Sequence, residues 1–200
     1  MEKHITQPQN SSTSESNRNP GGDEDFSVGT EVIYGIHGKC QVLDIEARSS
    51  LGKEMRFYKL EVQKSALSRS TKREPAIWLP VGTARQQGLR LPMSRTQAEQ
   101  AMALLASREY YFNPNESWTQ VYPKLEATLR SEGGPGFAQV YSYLYVLKRR
   151  QVVPSSDLVK LLENVYRILL RELTEALGET PRTLEDRMAK GLRQKLLADQ

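Results

Sequence analysis

The pattern of hydrophobic and polar positions changes texture twice along the chain. Residues 1 to 25 are mostly Gln, Asn, Ser, Thr, Gly, Pro and acids, with Ile5 the one large aliphatic after Met1. A segment without apolar surface has nothing to offset the entropy of ordering, so a disordered tail is expected there. From Phe26 short β-rich runs follow: Glu31 to Tyr34, Gln41 to Ala47, Met55 to Val62, and Pro75 to Pro80. Gly35, Gly38, Ser49, Ser50 and Gly52 supply turns between them, and the aperiodic polar stretch from Lys64 to Glu74 suits one long hairpin loop. Four or five short strands in about 65 residues are too few for a two-layer sandwich. The pattern therefore predicts a small, strongly bent sheet or partly open SH3-like barrel.

From Ser94 the period becomes helical, and Ser94 with Gln97 reads as a capping box that opens a helix through about Ser107. Asn113 and Pro114 interrupt it. A second helix is expected from Asn115 or Glu116 to Arg130, with Pro123 kinking it or delaying its start. Gly133 and Gly134 close it, and a third runs from about Pro135 to Arg150. A fourth opens at Ser155 or Ser156 and places Leu158, Leu161, Leu162, Val165, Tyr166, Leu169, Leu170, Leu173 and Leu177 on one stripe. Gly178 ends it, and Thr180 with Pro181 starts a last helix to about Leu196. The fold class is α+β, a small β module followed by an all-α domain.

Two hundred residues make one or two small domains and exclude a large multi-domain enzyme. No apolar run approaches the ~18 residues that span a bilayer, and the first residues hold no apolar signal core, so a cytoplasmic protein without a membrane partner is expected. Cys40 is the single cysteine, and His4 and His37 are the only histidines. Intrachain disulfides, cysteine-clustered zinc and most histidine-dependent chemistry therefore lack their parts. Residues 1 to 25 hold two basic and five acidic side chains, so the net charge of +4 leaves +7 on the remainder. That excess is compatible with nucleic-acid contact.

Candidate chemistry is sparse. Gly133, Gly134 and Gly136 do not follow a strand, the wrong context for a phosphate loop, and read as a helix stop. His37 lies in a Gly-Ile-His-Gly turn, Cys40 reads as a small apolar filler, and pairs such as Glu61 with Glu74 have no supporting motif. No enzyme, cofactor or small-molecule substrate is expected. Trp118 differs, because it stands at a helix start among Asn, Pro, Glu and Ser rather than in an apolar stripe. It either caps the core or serves as a half-exposed flat wedge. Lys148, Arg149 and Arg150 form a basic run that answers the helix dipole or meets phosphate. Tyr141, Tyr143 and Tyr145 read as core plus surface aromatics.

With Phe26-Ser27-Val28-Gly29, Glu31-Val32-Ile33-Tyr34, His37-Gly38, Val42 to Glu46 and Ile77-Trp78-Leu79-Pro80 in that order, the chain resembles the CarD/CdnL regulators of bacterial RNA polymerase. Trp118 after a Pro-containing link, the Gly133-Gly134 break and the helix ending Val165 to Leu173 continue the likeness, which covers residues 26 to about 178.

The resemblance implies a Tudor-like polymerase-interacting domain over 26–93, a helical DNA-binding domain over 94–200, and the tail over 1–25. It implies docking on the RNA polymerase β subunit through Arg48 and Trp78, the latter where relatives carry Arg or Tyr. It makes Trp118 a wedge at the upstream edge of the promoter DNA bubble, stabilising the open complex. Phosphate contacts would fall to Lys124, Lys148, Arg149, Arg150 and Lys160. The chain departs from the family in having Thr119 to Pro123 where basic residues often follow the wedge, Cys40 where a Gly is usual, and a longer 64–74 loop. Two alternatives remain: an adaptor that binds polymerase and grips another protein with its helices, and an uncharacterised enzyme.

Overall fold

The computed structural model describes residues 26–50, 52–63, 75–150 and 155–197. The expected tail and the expected hairpin loop over 64–74 lie outside them. Five strands, β1 (Glu31–Tyr34), β2 (Gly38–Ser50), β3 (Lys53–Val62), β4 (Ile77–Pro80) and β5 (Leu89–Arg90), form one antiparallel sheet in the order β4-β3-β2-β1-β5. Five helices follow: α1 (Arg95–Ala106), α2 (Trp118–Ser131), α3 (Gly133–Arg150), α4 (Ser156–Leu177) and α5 (Pro181–Leu197). Among the described residues no helix is long and apolar enough to cross a membrane.

β2 runs three residues beyond the apolar run that announces it at each end, and β3 starts two residues before its own. A register shift between Val42 and Asp44 interrupts their pairing. Side chains alternate across a strand, so an unbroken β2 would turn Ile45 away from the face shared by Cys40 and Val42. The extra residue restores the face. Cys40, Val42, Tyr58, Leu60 and Leu79 are buried in one cluster with Ile45 packed against it, and Leu43 is left 39% exposed. Phe26 closes that cluster, its ring edge-on to Tyr58 at 5.9 Å and its N–H donating to the Tyr58 hydroxyl at 3.3 Å.

β1 is buried on both sides. Val32 joins the sheet core, whereas Ile33 belongs to the helical core. α4 forms the seam between the two layers. Its Glu172, almost fully buried, accepts from both terminal nitrogens of Arg90 at 2.8 and 2.6 Å and from the Met93 N–H at 2.9 Å. Lys39 bridges Glu31 and Glu175 at 3.0 Å each, and Arg171 donates to the Gln63 carbonyl at 3.0 Å. Gly38, at φ +75°, has room for no side chain without pressing on Ile168 of α4.

The helices follow their sequence signals closely. Ser94 and Gln97 form the capping box of α1, and Gly178 ends α4 in the left-handed region. α2 starts at Trp118, later than Asn115 or Glu116, because Gln120 reaches back to the Ser117 N–H; the helix then runs through Pro123. The glycines need a correction. Gly133 does mark the break, at φ +59°, but Gly134 and Gly136 lie inside α3. A Cβ on Gly134 would stand 2.5 Å from Met93, and one on Gly136 would stand 2.7 Å from the Thr128 carbonyl, so these two glycines permit close packing rather than stopping a helix.

Candidate functional site

The outer face of the sheet carries the residues that alternate with its core. Register pairs Glu46 with Phe57, Arg48 with Met55, Lys59 with Trp78 and Phe57 with Pro80. On this face the Arg48 guanidinium lies over the Trp78 ring, 3.3 Å from its centroid, and the Lys59 ammonium stands 5.2 Å from the same ring. Glu46 accepts from Arg48 at 3.3 Å and lies 3.7 Å from Lys59. Such a stack is worth ~0.5–1 kcal/mol when exposed. Its larger effect is order: Arg48 enters a complex with its side chain already placed, and the guanidinium still has N–H groups for a carboxylate. Met55, 38% exposed, extends the apolar part of the face.

The second group of candidates lies on α2, α3 and α4 of the helical layer. α2 and α3 follow one another about Gly133 and pack together. Trp118, half-buried in the first turn of α2, packs on the edge of the helical core and tilts over Tyr122 at 5.5 Å. The buried stripe of that helix is Val121, Leu125 and Leu129. Among the described residues the indole N–H has no hydrogen-bond partner. Burial first, then a hydrogen bond to Glu126, pushes the Tyr122 hydroxyl above its usual range.

Lys148, Arg149 and Arg150 are exposed on the last turn of α3. Arg149 donates to the Tyr145 hydroxyl at 3.3 Å, and Arg150 stands 5.6 Å from the Tyr110 ring. Lys160 is exposed one turn into α4, beyond Asp157. Lys124 is exposed on α2, and its ammonium donates to both oxygens of Glu116 at 2.8 Å.

His37 stacks on Tyr34 at 5.4 Å and Cys40 is fully buried, and among the described residues no group of His, Cys, Asp and Glu is placed to hold a metal ion. Periodicity passes over two features that the structure makes prominent, the aromatic triplet Tyr110-Tyr111-Phe112 and the buried Lys195. Three adjacent aromatics between two helices are the one sequence signal that points to them. Neither a family model nor a curated protein matches the chain.

Proposed function

We propose that the protein is a non-enzymatic transcription regulator of the CarD/CdnL kind, docking its sheet on the RNA polymerase β subunit and setting Trp118 against promoter DNA at the upstream edge of the bubble. The observation that carries this reading is Arg48 laid on Trp78. The two residues are 30 positions apart and the resemblance alone singles them out, yet they meet in one contact on the exposed face. A strand order with β5 returning to β1 beside a four-strand meander supports a Tudor-like barrel. Trp118 supports the wedge: a flat ring outside the apolar stripe, its indole N–H without a partner among the described residues, with Lys148, Arg149 and Arg150 at the end of the helix that follows.

Purified RNA polymerase core supplies the test. Wild-type protein is expected to bind it, and Arg48→Glu to weaken binding by several kcal/mol at most while leaving the fold intact. Undiminished binding by Arg48→Glu contradicts the docking face. A second reading, in which the helical end grips a protein instead of DNA, draws on the Lys124–Glu116 pair and on Glu126 beside Tyr122. Salt titration of promoter binding separates the two, since phosphate contacts give a negative log-log slope.

A further inference from the structure

Tyr110, Tyr111 and Phe112 follow one another between α1 and α2. Phe112 lies 5.4 Å from the Tyr143 ring of α3. Tyr111 faces the Lys195 ammonium of α5 at 5.2 Å, and Tyr110 faces the same ammonium at 5.6 Å while standing 5.6 Å from the Arg150 guanidinium. Lys195 is 1% exposed, and its Nζ donates to the Ser142 hydroxyl of α3 at 2.6 Å. A buried ammonium ordinarily stands opposite a carboxylate. Among the described residues this one has a hydroxyl and two ring faces, with Glu109 near enough to favour its charge but not in ion-pair contact.

Only residues 113–117 separate the triplet from Trp118, and that link is a turn in which the Asn115 N–H donates to Asn113 Oδ1 at 3.0 Å and the Glu116 N–H to the Asn113 carbonyl at 3.2 Å. We propose that Lys195 is a positioning residue: by holding Tyr110 and Tyr111 against α3 and α5 it sets the place of Trp118. The consequence for DNA rests on the wedge reading above; the positioning itself is a property of the free protein. Burial lowers the Lys195 ammonium to about 8. Raising the pH through that value removes the ion–ring attraction yet leaves the amine able to bond Ser142. Among the described residues, the charged and titratable groups around it are Glu109, Tyr110 and Tyr111 on the loop, with Arg150 on α3 behind Tyr110.

The test uses the full chain carrying Trp78→Phe, which makes Trp118 the single tryptophan. Acrylamide quenching is followed from about pH 7 to about pH 9, across the ordinary range of a perturbed lysine. A step in quenching centred near 8 is expected. Lys195→Met should abolish that step and roughly double quenching at neutral pH, whereas the permanently charged Lys195→Arg should keep quenching low and show no step. A folded Lys195→Met protein with the parent's quenching, or one that retains the step, overturns the proposal. Should Lys195→Met fail to fold, the double variant Tyr110→Leu with Tyr111→Leu carries the same expectation, and unchanged quenching there overturns it equally. Open-promoter lifetime, measured with Trp78 intact, keeps the two claims apart. Quenching that responds while Trp118→Ala leaves the lifetime unchanged defeats the wedge alone; a shortened lifetime with unresponsive quenching defeats the positioning alone.

Discussion

The two tryptophans stand in opposite settings. Trp78 is covered by Arg48, with Lys59 nearby, on the outer face of a sheet, whereas Trp118 opens a helix with another aromatic beside it and its nearest lysine along the chain paired to Glu116. The first is a charged surface with an aromatic floor, suited to a partner that offers carboxylates. The second is a flat, half-buried apolar ring with an aromatic neighbour, suited to stacking more than to ion pairing. One chain thus holds two contact chemistries, and Glu172 on α4 ties the layers that bear them.

Breaking that tie has the largest expected effect. Glu172→Ala leaves Arg90 and the Met93 N–H without their buried partner and should cost ~3–5 kcal/mol in urea unfolding. A loss below 1 kcal/mol would mean that the seam is not held there. Next comes pH. Lys195 has a folded pKa of about 8 against an ordinary 10.5, so between those values the unfolded chain holds a proton that the folded chain has released. Stability should therefore rise with pH from about 8, by on the order of 2–3 kcal/mol, until other groups intervene. Tyr141, pushed up to about 12 from 10 by burial, acts in the opposite sense above pH 10. Lys195→Met should flatten the rise below pH 10, and a rise that persists in that variant assigns it to another group. Trp118→Ala should cost ~2 kcal/mol, about half the loss for a fully buried ring, because the indole only edges the core. Trp78→Ala, losing mainly an exposed ion–ring contact, should cost about 1 kcal/mol or less. If the last two exchange order in thermal or urea unfolding, the contrast between the two settings is wrong.

Much of this layout was legible in the sequence. Period-two and period-3.6 runs announced the strands and helices, and Ser94, Ser155, Gly178 and Pro181 marked helix ends by local backbone chemistry alone. What stayed hidden depends on contacts distant in sequence. Glu172 reads as one more polar position beside Leu173, since its partner Arg90 lies 82 residues away. The step at Leu43 that re-aims β2 has no glycine to advertise it. Arg48 and Trp78 pair with different residues in register, so alternation alone does not bring them together; sheet geometry and long side chains do. The pairing of Lys124 with Glu116, eight positions earlier, likewise follows from no pattern in the sequence.

The most direct measurement takes Arg48→Glu and Trp118→Ala through the same two assays, retention on RNA polymerase core and the lifetime of the open promoter complex. The expected result is a separation. Arg48→Glu loses retention, and its effect on the promoter goes with it. Trp118→Ala keeps full retention while the open complex shortens by the equivalent of ~1–3 kcal/mol, the worth of one stacked base. A Trp118→Ala protein that keeps the full lifetime, or an Arg48→Glu protein that keeps full retention, would contradict the assignment of these two sites to two partners.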